Sequence, residues 1–158
     1  MKVEYINPFI KSIGNTFSTM LDCELHRGDI GFKDNANPKY AVSGVIGLSG
    51  RAVGTVVLSL SKEVALKAAS TMLMMEATEV DEEVLDAVGE LTNMVAGGAK
   101  AELEEYELAV SLPNVITGRD HEIHFPSSVQ PICIPFNSPW GEITLEVGLS
   151  QVAAPVAS

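Results

Sequence analysis

No apolar run in this chain reaches the roughly 18 residues needed to cross a bilayer as a helix. Its opening, MKVEYINPFIKSIGN, is broken by Asn7, Pro8 and Lys11, where a signal peptide needs an uninterrupted apolar core. The expected address is therefore the cytoplasm. Bases are scarce as well: 10 Lys and Arg stand against 21 Asp and Glu, a net charge of −11 with no basic cluster. A field of that sign repels phosphate backbones and anionic lipid, so neither nucleic acid nor a membrane is expected as a partner. The two cysteines, Cys23 and Cys133, lie far apart, each in an apolar stretch, and read as buried thiols rather than a disulfide. There is no glycine-rich phosphate loop. Asp120, His121 and His124 in RDHEIHF form too sparse a set for a metal ion, so no metal site is expected and they read as loop residues.

What the chain does have is the balance of one globular domain: 158 residues, 46% hydrophobic and 20% charged. The domain is assigned to residues 1–150, with 151–158 as a flexible tail. Apolar residues recur at helical spacing over Asn7–Leu21, with Pro8 suited to the first turn. CELHRGDIGFK is loose strand material before Asp-Asn-Ala-Asn-Pro. KYAVSGVIGLSGRAVGTVVLSLS reads as a hairpin turning at Ser49-Gly50-Arg51, with TVVLSL alternating as if one face were solvated or differently packed. Arg51 is a solvated turn residue. Ser61 can cap a helix from Lys62 to about Met75, and Met72, Met74 and Met75 read as core or helix-interface packing. Thr78 or Asp81 can cap a longer helix running to about Glu105. YELAVSLPNVITG, VQPICIPFN and WGEITLEVGLS are strands, the last two joined by a turn at Asn137–Gly141, where Trp140 caps the core edge. Gly118–Ser128 is a surface loop. The fold class is α/β (α+β): one domain of two pseudo-repeated helix–strand–strand–strand units, with long helices packed on a mostly antiparallel sheet.

Within the long helix, DAVGELTNMVAGGAK places an acid, an amide and two glycines among apolar residues. At about 100° per residue, Val84, Val88, Leu91, Val95 and Ala99 form one buried stripe. Asp86, Glu90, Asn93 and Gly97 fall opposite it, centred about 180° away. Glu90 and Asn93 are then neighbours on the exposed side. Gly97, without a side chain, leaves room there for another backbone. From the residues alone two readings stay open: an ordinary polar face with tolerated glycines, or a surface shaped to touch a partner. Aligning Asn15 of the first helix with Asn93 puts Ser12 at the position of Glu90, so one half keeps Glu and Asn and the other keeps Asn alone. Asn15 also points outward.

These residues resemble a known pattern. Asp86, Glu90 and Asn93 match the D-x-x-x-E-x-x-N helix motif of the CheC/CheX/FliY phosphatases, and NPFIKSIGNTFSTML is similar to the first helix of the CheX branch. The family motif carries a proline some twenty-odd residues beyond the Asn; here Pro113 lies 20 positions after Asn93, a small departure. Ser12 in place of a second Glu points to the one-site CheX branch. The resemblance implies a protein phosphatase that hydrolyses the aspartyl-phosphate of a CheY-like response-regulator receiver. Asn93 would position the attacking water, Glu90 would dock to a receiver Lys, and Asp86 and Gly97 would belong to the partner-binding surface. No cofactor is expected on this chain; Mg2+ is expected on the partner receiver. A homodimer is implied too. The alternative is a non-catalytic receiver-binding or flagellar-switch-related module of the same fold.

Overall fold

The computed structural model describes residues 3–32, 40–118, 125 and 130–152. Helix α1, Val3–Leu21, buries Phe9, Ile13 and Phe17 completely, one side chain per turn. It begins a turn earlier than the periodicity predicts, and Pro8 lies inside it rather than in its first turn. Tyr5 and Ile6 are buried, and their packing extends the helix upstream of the proline. The CELHRGDIGFK segment forms only two short pairings, β1 (His26–Arg27) and β2 (Gly31–Phe32). β3 (Val42–Ser49) and β4 (Ala52–Leu60) make the expected hairpin. Its turn needs Gly50, whose φ is +148° and whose missing Cβ would overlap the Glu107 carbonyl.

Helix α2, Lys62–Leu73, is capped by Ser61, whose hydroxyl accepts the Val64 N–H at 3.2 Å. It stops at Met74 in a left-handed conformation, and this end departs from the sequence expectation: Met74 is 92% exposed and Met75 55%, so neither packs into the core, while Met72 alone is partly buried. Helix α3, Glu82–Ala101, starts on Asp81, whose carboxylate accepts the Val84 N–H at 3.0 Å. It gives way to a 3-10 turn at Glu104–Tyr106, which Arg51 meets through an ion pair to Glu107 at 3.2 Å. Short strands β5 (Ala109–Val110) and β6 (Asn114–Thr117) follow, then the hairpin of β7 (Ile132–Ser138) and β8 (Gly141–Gln151).

The eight strands form one antiparallel sheet with β7, β8, β4 and β3 side by side. β1 and β2 both border β7, and β5 and β6 both border β3. The duplication expected from the sequence is therefore visible in the order, with a pseudo-two-fold between β4 and β8. The leading strands of each half, however, pair with the hairpin of the other half. Alternate residues of the central strands, such as Val56, Leu58, Ile143, Leu145 and Ile134, form the core. The other face of β4 is buried over its second half: Val57 and Ser59 are fully buried, and the Ser59 hydroxyl lies 2.8 Å from that of Ser43, while Val53 at the start of the strand is exposed. The alternation of TVVLSL thus marks a differently packed face and not a solvated one. Cys23 is buried, Cys133 half-buried, and the two form no disulfide. Trp140 packs on the core edge as expected. Asp34–Pro38, Arg119, Asp120, His121 and His124, and tail residues 153–158, lie outside the described residues.

α3 is set against its neighbours through backbone notches. A Cβ at Gly44 of β3 would overlap the hydroxyl of Thr92, so α3 can lie close to the strand only over glycine. Gly97 is on the outward side, where an added Cβ would meet nothing within 4 Å. These two glycines predict opposite outcomes. Gly44→Ala should lower stability by about 1–3 kcal/mol through overpacking, whereas Gly97→Ala should raise it by about 0.5–1 kcal/mol through helix propensity. Urea unfolding midpoints of the two variants, compared with the unchanged chain, check both signs.

Candidate functional site on helix 3

The buried residues of α3 are Val84, Ala87, Val88, Gly89, Leu91, Thr92, Val95, Ala96 and Ala99. What remains outside is narrow. Asp86, Glu90, Asn93, Gly97 and Lys100 are exposed, and their alternating steps of four and three residues stack them in one line along the helix. The sequence wheel therefore predicts the orientation of every residue in the motif correctly. Among the described residues none hydrogen-bonds or ion-pairs with the side chains of Asp86, Glu90 or Asn93. A carboxylate can only accept, and a carboxamide both donates and accepts, so the pair offers a complete polar grip to something outside.

Each flank of the line is fixed by a different neighbour. On one side Gly89, four residues before Asn93, faces β6: a Cβ there would stand 3.3 Å from Val115 and 3.4 Å from Pro113. Pro113, set above against the family's proline, has a packing reason for its place here: its ring stands in the notch at Gly89, next to Glu90. On the other side α1 lies antiparallel to α3. Ser12 donates to the Val95 carbonyl at 2.7 Å and occupies the space where a Cβ on Gly98 would be. An exposed ion pair between Lys11 and Glu102 closes this contact at one end. The two glycines of AGGAK thus do separate work, Gly98 seating α1 and Gly97 leaving the surface open.

Ser12 is where the repeat alignment misleads. Aligned with the exposed Glu90, it is nevertheless buried, because α1 turns that position onto α3. Asn15 is exposed as expected and borders a groove between the helices with Thr16, Met20 and Met94. Sequence reasoning missed this groove and the Gly89–Pro113 contact, since both depend on which elements become neighbours. The spacing of Pro113 from the motif was the available signal for the second.

The line contains no attacking group. It has no Ser, Cys or His, and burial, the main influence, pushes the Cys23 thiol up from its ordinary value, away from thiolate reactivity. Among the described residues no three His, Cys, Asp or Glu side chains converge as metal ligands, and no helix is long and apolar enough to cross a membrane. Chemically, the carboxylates and the amide on this line can dock a cation and orient a polar group or a water.

The family model described as chemotaxis phosphatase CheX matches residues 42–137. The CheY-P phosphatase CheX of Thermotoga maritima is 34% identical over 126 residues, covering 78% of this chain and 81% of that protein. A CheC-like superfamily protein from Shewanella sp. PV-4 superimposes with a TM-score of 0.87 at 38% identity, over 95% of this chain and 99% of its own. The chemotaxis protein CheX from Desulfovibrio desulfuricans superimposes with a TM-score of 0.86 at 33% identity, over 94% and 100%. The match of one family model across more than half the sequence, with a relative at this identity, establishes that the chain belongs to the CheX family.

Proposed function

We propose that this chain is a protein phosphatase that hydrolyses the aspartyl-phosphate of a CheY-like receiver domain, and that Glu90 and Asn93 carry the reaction. The observation that supports this most strongly is their geometry: side by side, exposed and unpaired on the one open line of α3, in a chain of the CheX family. The relative in Thermotoga maritima is named for the same activity.

Hydrolysis joins a water oxygen to phosphorus as the bond to the aspartate oxygen breaks, releasing inorganic phosphate and restoring the carboxylate. The receiver brings the acyl phosphate and its Mg2+. Asn93 supplies what the receiver lacks, a carboxamide that holds the water in line with the breaking bond. Orientation of this kind can contribute several kcal/mol to the barrier without any covalent role for the protein. Glu90, one turn earlier, pairs with a receiver Lys and sets the depth and register at which Asn93 enters. Asp86 extends the acidic line toward the helix start, and Gly97 lets the partner backbone approach. The acidic excess of the chain helps draw in a basic docking group. The homodimer of the family is part of the same reading.

Asn93→Ala should lower the phosphate-release rate from a phosphorylated receiver by about 100-fold or more, with unchanged unfolding. A stopped time course of receiver phosphate, with and without each protein, reads it; a variant at full rate would sink the assignment. Binding of the phosphorylated receiver with no shortening of its phosphate lifetime by the unchanged chain would instead favour the non-catalytic module. Glu90→Gln should act on docking, raising KM by roughly two- to fivefold, equivalent to about 0.5–1 kcal/mol for a partly exposed pair, and flattening the salt dependence of kcat/KM. Measuring kcat/KM between low and high ionic strength separates this from a loss of chemistry.

A further inference from the structure

The edge of the sheet beside α3 is interrupted in a way that the motif does not account for. Leu48 faces Val110, and Val45 faces Asn114. Two residues of β3, Ile46 and Gly47, therefore stand opposite three, Ser111, Leu112 and Pro113. This is a β-bulge, a device that re-aims side chains and is tolerated mainly at sheet edges. Pro113 can sit in it because no ladder N–H is needed there.

A lone exposed leucine is ordinary on a protein surface. Leu112 is not an ordinary case, because the backbone around it is tied on both sides. Before it, the Ser111 N–H donates to the Gly47 carbonyl and the Gly47 N–H donates to the Ser111 hydroxyl oxygen, both at 2.9 Å. The Ser111 hydroxyl also donates to the Leu112 carbonyl at 3.1 Å. After it, Pro113 is seated against Gly89 of α3. Between these anchors Leu112 stands 88% exposed. Its Cα is one residue, about 3.8 Å, from the proline that touches the helix next to Glu90. A partner centred on Asn93 and covering an ordinary interface of about 800 Å2 per side reaches roughly 16 Å from that centre, which takes in the bulge.

We infer that Leu112 is a docking residue for the receiver: the bulge presents it, already ordered, to an apolar patch bordering the receiver's phosphorylation site. This rests on the reading of Glu90 and Asn93 as the receiver contact and adds an apolar anchor to a surface whose centre is polar. With the backbone on both sides of Leu112 already fixed, docking costs little more than the rotamer freedom of one leucine side chain, so more of its burial goes into affinity. Its ring of contact also keeps bulk water away from the polar pair, as the apolar surroundings of interface hot spots do. Leu112 touches no reacting atom. Its effect is expected in KM and not in kcat.

The test uses CheY-type receivers phosphorylated with acetyl phosphate and the full chain carrying Leu112→Ser, Leu112→Met or Asn93→Ala. Leu112→Ser should raise KM about 10-fold with kcat within twofold and an unchanged thermal midpoint, since the side chain is exposed in the free protein. Leu112→Met should restore KM to near the original. Asn93→Ala should remove kcat while keeping receiver binding. If Leu112→Ser leaves KM unchanged while Asn93→Ala abolishes turnover, the docking role is overturned and the phosphatase reading stands. If the unchanged chain discharges none of the receivers, or Asn93→Ala is fully active, the phosphatase reading fails and the docking role falls with it.

Discussion

The structure depends on how closely α3 is allowed to approach its neighbours. Three glycines set those distances. Gly44 of β3 admits Thr92, Gly89 of α3 admits Pro113 and Val115, and Gly98 admits Ser12. Any added methyl group at the first of these meets its neighbour inside van der Waals contact, in an interior with little slack. The helix is therefore clamped from strand and helix alike, and its rotation about its own axis is fixed. Along the middle of α3 the long polar side chains facing outward are Asp86, Glu90 and Asn93, the three residues of the sequence pattern. Two polar side chains placed on a regular helix, with its supports packed on three sides, are held more tightly than a loop would hold them.

Much of this arrangement was legible in the residues. The 3.6-residue period of α3 assigns each motif residue to the buried or open side without reference to any other element, because that assignment is local. Caps at Ser61 and Asp81 were legible for the same reason: each is a side chain answering a backbone N–H three residues on. What depends on neighbours was not. Ser12 has the sequence of an outward position and is buried because α1 lies across Gly98. TVVLSL alternates, yet both its faces are covered. α1 extends upstream of Pro8 since Tyr5 and Ile6 find a core to enter. Met74 and Met75 look like core residues by type and spacing, but the left-handed turn at Met74 carries them off the helix face. The bulge at 111–113 required knowing that one edge strand pairs with β3 in two registers.

The chemical consequence of the fold is that the chain contributes position rather than reactivity. Its open line has two carboxylate acceptors, an amide that donates and accepts, a gap at Gly97 and the Lys100 ammonium, and it has no Ser, Cys or His. A surface of this kind has little to do on its own and, on the function proposed above, gains its effect when a second protein brings a phosphoryl group to it. Its selectivity must then lie in the surroundings, in the charge along α3, the apolar residues at its borders and the clearance at Gly97, since a single carboxylate and a single amide are common on helices. The exposed Lys11–Glu102 pair, by contrast, adds little to stability; it ties the C-terminal cap of α3 to the middle of α1.

The exchange of leading strands between the two halves has a further meaning. A sheet in which β1 and β2 complete the β7–β8 hairpin, while β5 and β6 complete β3–β4, leaves neither half with a finished edge of its own. A single half, folding alone, could satisfy those pairings only by taking the same strands from a second copy of itself. The chain is thus equivalent to a strand-swapped dimer whose two subunits have been joined end to end.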